Sequence, residues 1–364
     1  MTSVERVAVV GTGLIGTSVA LAAARAGAVV TGWDADAAVS ARAAALAGFR
    51  PATCAEDAVV GAGIVVVATP IPTIASLVAT CLEAAPDAIV TDVGSVKTAL
   101  VREAVARVPA DALARFVPGH PMGGSERSGP DHASASVVDG IVWAITPHRS
   151  SDPVAVDTLE AWTASLGARP VRLDPERHDR LVAFVSHLPQ VASTALMSLA
   201  ATEEAGEPEI LLLAAGGFRD LTRLAASNPA LWSDILLANR LAIGEAIDLY
   251  TERLTRLRDE IVGGSGAEVE ATFDEAKRAR LRLAAKPTVR AGVAVLQIEV
   301  PDRPGALADL TAALGRGEVN IEDLQIVHSP EGGRGTVHLT VAADAADRAS
   351  AVLADGGLDP IRLA

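Results

Sequence analysis

The apolar run Val7 to Val10 passes straight into Gly11-Thr12-Gly13-Leu14-Ile15-Gly16 and then into an Ala-rich stretch. A strand, a glycine turn and a helix in that order open a strand–helix–strand unit, which commits this part of the chain to a parallel sheet covered by helices. Each glycine has a physical purpose: a tight turn, close approach of a pyrophosphate to the backbone, and close packing of helix on strand. The helix presents its partial positive charge to the phosphates, so Gly11, Gly13, Leu14, Ile15 and Gly16 are expected to bind the cofactor. Asp34 ends the second apolar run eighteen residues beyond Gly16. A carboxylate there accepts hydrogen bonds from an adenosine ribose and repels a 2′-phosphate, so NAD is expected rather than NADP. Taken singly, the turn also fits an α/β fold without nucleotide, and Asp34 a solvated loop carboxylate.

Further strands are expected at Val29 to Trp33, Ile64 to Ala68, Ala88 to Asp92, Arg115 to Pro118 and Ile141 to Ile145, separated by helical stretches. From about Asp152 to Ala285 the spacing reads as wholly helical, notably over Leu181 to Ala200 and Leu231 to Ile261. The second of these starts at Asn228 and Pro229, a cap and a first-turn proline, and stops at Gly263 and Gly264. As one helix it would span about 50 Å, enough for its apolar face to pack on a second subunit, so a homodimer is expected. After a linker at Lys286, Pro287 and Gly292 the order is strand, helix, strand, strand, helix, strand, a ferredoxin-like βαββαβ unit. The expected fold is thus α/β: a Rossmann-type domain over 1–150, a helical substrate and dimerisation domain over 151–285, and a small regulatory domain over 292–364.

With 364 residues there is ample chain for two or three domains. A net charge of −14 argues against a nucleic-acid partner. Cys54 and Cys81 form neither a disulfide framework nor a zinc pattern, so no metal is expected and a reducing compartment fits. The start of the chain lacks a signal-peptide pattern, and no uninterrupted run of about 18 apolar residues occurs, so a cytoplasmic protein outside the membrane is expected.

Several further motifs carry chemistry. Ser95, in Asp92-Val93-Gly94-Ser95-Val96-Lys97, follows a strand at the sheet end where such folds bind ligands, but a serine before a helical run is equally an N-cap. His120 lies in the glycine-rich loop Gly119-His120-Pro121-Met122-Gly123-Gly124-Ser125-Glu126. An imidazole there suits removal of a hydroxyl proton at neutral pH. His187, inside the apolar run Val185-Ser186-His187-Leu188-Pro189-Gln190, reads as a core histidine or a ligand. Arg219 and Arg223 are four apart on one helix face, either a solvated basic face or a fork for carboxylates.

Together these motifs, with Ala68-Thr69-Pro70, the pair His178-Asp179 and Asn228-Pro229-Ala230-Leu231-Trp232, resemble the prephenate/arogenate dehydrogenase family of tyrosine biosynthesis over residues 5 to 285. The remainder, residues 293 to 364, with Asp302-Arg303-Pro304-Gly305-Ala306-Leu307 and Val319-Asn320-Ile321-Glu322-Asp323-Leu324, resembles an ACT domain, a module that commonly binds amino acids. The resemblance implies NAD-dependent oxidative decarboxylation of prephenate to 4-hydroxyphenylpyruvate, or the corresponding reaction of arogenate or an amino-substituted analogue. It implies that His120 deprotonates the ring hydroxyl, and that Ser95 orients that histidine or touches the hydroxyl and nicotinamide. By the same resemblance His187 and Arg223 contact substrate carboxylates, Ser125 and Glu126 belong to a closing loop, and Thr69 and Pro70 line the cofactor site. Gly305 and Asn320 would border an effector site for L-tyrosine. Gln190 stands where many prephenate-active members carry histidine, and Met122-Gly123-Gly124 departs from the usual loop, so side-chain selectivity stays open. A β-hydroxyacid dehydrogenase normally uses a helical lysine, whereas no lysine occurs between Lys97 and Lys277. A non-catalytic sensor of NAD and an amino acid would not need Ser95, His120, His187 and Arg223 together.

Overall fold

The computed structural model describes residues 4–123, 129–284, 293–301, 303–328 and 334–363. The chain divides into two compact units, Met1–Ala195 with Leu224–Leu249, and Leu196–Arg223 with Tyr250–Ala364.

In the first unit β1 (Arg6–Val10), α1 (Leu14–Arg25), β2 (Val29–Trp33), α2 (Ala37–Ala47), β3 (Arg50–Pro51), α3 (Ala55–Val59), β4 (Ile64–Val67), α4 (Ile71–Ala84) and β5 (Ile89–Asp92) alternate along the chain. The strands form a parallel sheet in the order β3-β2-β1-β4-β5. The chain leaves β1 in one direction toward β2 and returns past it to β4, so a crevice opens between the carboxyl ends of β1 and β4. Successive residues of β1 face opposite layers: Val7 and Val9 join one buried cluster with Val19 and Ala23, and Ala8 and Val10 join another with Val65, Val67 and Ile74. This two-sided burial explains why β1 and β4 read as continuous apolar runs.

The expected strand Arg115 to Pro118 is reduced to one parallel bridge, Val90 with Phe116. The strand proper, β6 (Gly119–Pro121), lies after α5 (Thr98–Arg107) and α6 (Ala110–Leu113) and pairs antiparallel with β7 (Val142–Ile145). Beyond α7 (Pro153–Ser165), β8 (Arg169–Arg172) pairs parallel with β7. The stretch from Asp152 is therefore not wholly helical. The sequence Arg-Pro-Val-Arg has almost no strand pattern of its own, and pairing with β7 supplies its conformation.

Next come α8 (Pro175–Val182), a single π-helical turn (Ala183–His187) and α9 (Leu188–Glu203). By length and composition the run 175–203 is apolar enough to cross a membrane. It nevertheless carries His178, Asp179, His187 and Gln190 as buried groups hydrogen-bonded within the protein. The expected single helix from Leu231 to Ile261 is divided into two. α10 (Glu209–Leu212) and α11 (Gly216–Thr222) precede α12 (Pro229–Ala238), and α13 (Arg240–Val262) follows it. Asn228 and Pro229 start α12 as anticipated, the Asn228 side chain accepting from the amides of Ala230 and Leu231. The break falls at Asn239, whose buried side chain bonds across to other elements.

In the second unit α14 (Gly266–Ala284) precedes β9 (Val293–Pro301), α15 (Ala306–Arg316), β10 (Asp323–His328), β11 (Arg334–Ala342), α16 (Ala346–Asp355) and β12 (Pro360–Arg362). This is the βαββαβ order anticipated, in an antiparallel sheet β10-β11-β9-β12. Leu296, Ile298, Leu310, Leu314, Leu339 and Leu353 fill its separate core. The linker residues Lys286, Pro287 and Gly292 lie outside the described residues.

Candidate active site

At the β1 turn the glycines do three different things. Gly11 has φ +96°, and a Cβ there would stand 2.5 Å from the Ala68 carbonyl and 2.7 Å from Thr69 Cγ2. Gly16 lies so close to β1 that its Cβ would meet the Gly11 carbonyl at 1.9 Å. Gly13, at the N-cap of α1, faces open space: nothing lies within 4 Å of an added Cβ, and no side chain caps the helix. That leaves the amides of the first turn, at Leu14, Ile15 and Gly16, aimed at the crevice for an anion. Asp34 at the end of β2 accepts the Thr12 amide at 2.7 Å through Oδ2 and the Asp36 amide at 3.0 Å through Oδ1. Its remaining lone pairs suit two ribose hydroxyls. Thr69 and Pro70 lie in the turn after β4, with Pro70 at the N-cap of α4. These residues fit a dinucleotide.

The second half of the site is built on Gly119. Its carbonyl accepts from Lys97 Nζ at 2.7 Å, and its amide reaches Asp92 Oδ2 at 3.4 Å. Lys97 and Asp92 form a wholly buried ion pair. Burial pushes the Asp92 carboxyl up and the Lys97 ammonium down, and each charge is held by the other. An added Cβ on Gly119 would meet Trp143 Nε1 at 2.8 Å and the Asp92 carbonyl at 3.1 Å, so only glycine lets β6 approach β5 this closely. His120 is thereby fixed at the carboxyl end of β5.

His120 is half-buried, and its Nδ1 lies 3.0 Å from Nε2 of His178. His178 Nδ1 donates to Asp179 Oδ1 at 2.9 Å. Asp179 also accepts the amides of Lys97 and Thr98, each at 2.8 Å, and so caps α5 from 81 residues away. Burial alone would raise the Asp179 carboxyl, but hydrogen bonds from His178, Thr98 and Lys97 hold it below the usual carboxylate range. Burial, then the nearby His178, Lys97 and His187, drives the His120 imidazole well below its ordinary value. His120 is therefore neutral at neutral pH.

His187 ends the π-helical turn. Pro189 has no amide to give the Val185 carbonyl, and the wide turn forms immediately before it. His187 Nδ1 lies 3.1 Å from Asn239 Nδ2, its ring edge meets Trp232 at a centroid distance of 6.0 Å, and burial pulls it down to about 4. Gln190 turns inward, donating to the Leu224 carbonyl at 2.8 Å.

The structure thus brings His120 and His187 together with His178, Asp179 and Asn239. Ser95 is half-buried beyond β5, but it is not the cap of α5: Lys97 holds that position, and Asp179 takes the amides a serine would have taken. Nor does Ser95 bond to His120 among the described residues, where His178 is the partner. Arg223 is exposed at the end of α11, in the second unit. Ser125 and Glu126 lie outside the described residues. Gly305, with φ +90°, caps α15, and the exposed Asn320 donates to Glu322 at 2.6 Å. The roles of His178, Asp179 and Asn239 were missed, although a buried His-Asp pair in the first turns of a helix begun by Asp174-Pro175 was a visible signal.

Three family models match: the nucleotide-binding domain of prephenate dehydrogenase over residues 19–172, its dimerization domain over 174–275, and the ACT domain over 294–355. A prephenate dehydrogenase of Bacillus subtilis is 32% identical over 258 residues, 70% of this chain and 69% of the relative. A cyclohexadienyl dehydrogenase of Zymomonas mobilis is 32% identical over 295 residues, 80% of this chain and the whole of the relative. The crystal structure of prephenate dehydrogenase from A. aeolicus, with hydroxyphenyl propionate and NAD+, superposes with a TM-score of 0.71 at 28% identity, covering 77% of this chain and 98% of that one. With a dinucleotide turn, a neutral histidine at the sheet end and these matches in hand, the chain belongs to the prephenate dehydrogenase family.

Proposed function

We propose that the protein converts prephenate and NAD to 4-hydroxyphenylpyruvate, CO2 and NADH in tyrosine biosynthesis. The observation that carries this reading is His120, held neutral and oriented at the carboxyl end of β5. Bound NAD supplies the hydride acceptor. His120 accepts the proton of the ring hydroxyl, the ring carboxylate leaves as CO2, and aromatisation makes the step downhill. His187 and Arg223 hold substrate carboxylates, and Ser95 stands beside the hydroxyl and nicotinamide. By the family resemblance Ser125 and Glu126 are assigned to substrate binding. NAD is preferred over NADP because Asp34 would face a 2′-phosphate with like charge.

The working regions are nucleotide-binding, helical and ACT, read from sequence as 1–150, 151–285 and 292–364, with the pairing of β8 carrying the first to residue 172. A homodimer is supported by the dimerization-domain match and by leucines 241, 249 and 254, exposed along α13. The two free cysteines fit a cytoplasmic setting. Formation of NADH with prephenate and with arogenate, each repeated with NADP in place of NAD, tests this reading. Turnover of prephenate with NAD is expected. Preference for arogenate would keep the mechanism and shift the substrate, and silence with both would overturn it.

L-Tyrosine is the proposed effector, binding between Gly305 and Asn320, where the left-handed Gly305 leaves the start of α15 without a side-chain cap. Tyrosine is expected to inhibit the full chain and to lose that effect on removal of residues 292–364, with the oligomeric state checked alongside. Undiminished inhibition would place the effector elsewhere.

A further inference from the structure

We propose that Asp179 and Asn239 are positioning residues that lock the two site histidines in opposite tautomers, His120 with a free lone pair at Nε2 and His187 with a free N–H at Nε2. The inference deepens the reading of His120 as base and rests on it for its catalytic consequence.

The argument is one of hydrogen-bond direction. A carboxylate only accepts, so the 2.9 Å contact from His178 to Asp179 Oδ1 places the His178 proton on Nδ1. His178 Nε2 is then the acceptor of the 3.0 Å contact, and the proton of His120 must sit on its own Nδ1. What remains on His120 is the Nε2 lone pair, the atom a base needs. On the other side, Asn239 contacts the main-chain carbonyl of Asp179 at 2.9 Å. A carbonyl also only accepts, so the amide nitrogen of Asn239, not its oxygen, must face it. The second hydrogen of that nitrogen points to His187 Nδ1 at 3.1 Å, which makes Nδ1 an acceptor and leaves the His187 proton on Nε2. One residue, Asp179, thus anchors both directions: its side chain begins the chain that makes His120 an acceptor, and its carbonyl orients the amide that makes His187 a donor.

The outcome matches the two tasks. An acceptor faces a hydroxyl that must lose its proton, and a neutral donor faces a carboxylate that must be held. When His120 takes the hydroxyl proton on Nε2, its Nδ1–H bond to His178 strengthens, and the Asp179 carboxylate stabilises the new cation through His178. No proton need move beyond His120.

Long-range 1H–15N spectra of the full chain carrying [15N]histidine distinguish a protonated from an unprotonated ring nitrogen, with His120→Asn and His187→Asn spectra providing assignment. The wild type is expected to show Nδ1–H at His120 and Nε2–H at His187; Nε2–H at His120, or Nδ1–H at His187, overturns the proposal, the readout coming from the wild type and the conservative asparagine variants serving only to assign its signals. In kinetics, Asn239→Asp offers His187 a carboxylate and should reverse its tautomer, raising KM about tenfold or more with a smaller change in kcat. His178→Leu removes the acceptor and should lower kcat about 10–100-fold at nearly unchanged KM, with partial recovery in His178→Gln, whose amide oxygen still accepts. Equal losses for leucine and glutamine would make His178 merely structural and sink the chain through it. The expected tautomers together with an active His120→Asn enzyme would sink the base assignment instead, and leave the tautomer lock standing.

Discussion

The His120→Asn variant is expected to lower kcat by about 10²–10⁴ while leaving KM nearly unchanged, because asparagine keeps a hydrogen-bonding group of similar reach but accepts no proton. A loss under about tenfold would remove His120 from the role of base. The pH profile of the wild type adds an independent check. The proposed base acts in its neutral form, and burial, with the buried Lys97 ammonium nearby, keeps that form dominant well below the ordinary imidazole range. kcat/KM is therefore expected to stay flat down through about pH 6 and to fall only at lower pH, whereas an exposed histidine would give an acid limb near its usual value of about 6.5. In His120→Asn that limb should vanish along with the rate.

Lys97→Met is expected to destabilise the first unit by about 3–5 kcal/mol, since it removes one member of a buried ion pair and strands the other. In a domain of this size that corresponds to a fall in Tm of roughly 10 °C. The loss is not only electrostatic: Lys97 Nζ also holds the Gly119 carbonyl, so β6 and His120 lose their seat on β5. Pairing the change with Asp92→Asn should recover part of the stability, because the uncompensated charge is then gone. Thermal unfolding of the single and double variants decides the matter. A single-variant loss below about 1 kcal/mol would mean that Asp92 finds its charge balance elsewhere.

The difference between these two groups and the ones recognised at once is a difference of range along the chain. The glycine turn, Asp34 and the run of strands β1, β2 and β4 were legible because their physics is local: a φ of +96° at Gly11, a strand buried on both faces, a helix that begins where the strand ends. The βαββαβ order of the second unit was legible for the same reason, each element carrying its own period. β8 was not, because Arg-Pro-Val-Arg becomes a strand only by pairing with β7. The break at Asn239 was not, because an asparagine in an apolar helical pattern looks tolerable until its side chain is claimed by Asp179 and His187.

By itself the sequence determined the parallel sheet, the cofactor turn and the small βαββαβ unit, since propensity, apolar period and glycine conformation act over a few residues, while the two site histidines were picked out only by the family resemblance. Only the tertiary structure decided which nitrogen of each histidine is free. That choice depends on His178 and Asp179 meeting His120 from 58 residues away and on Asn239 meeting His187 from 52, and hydrogen-bond direction has no signature until both partners are in place.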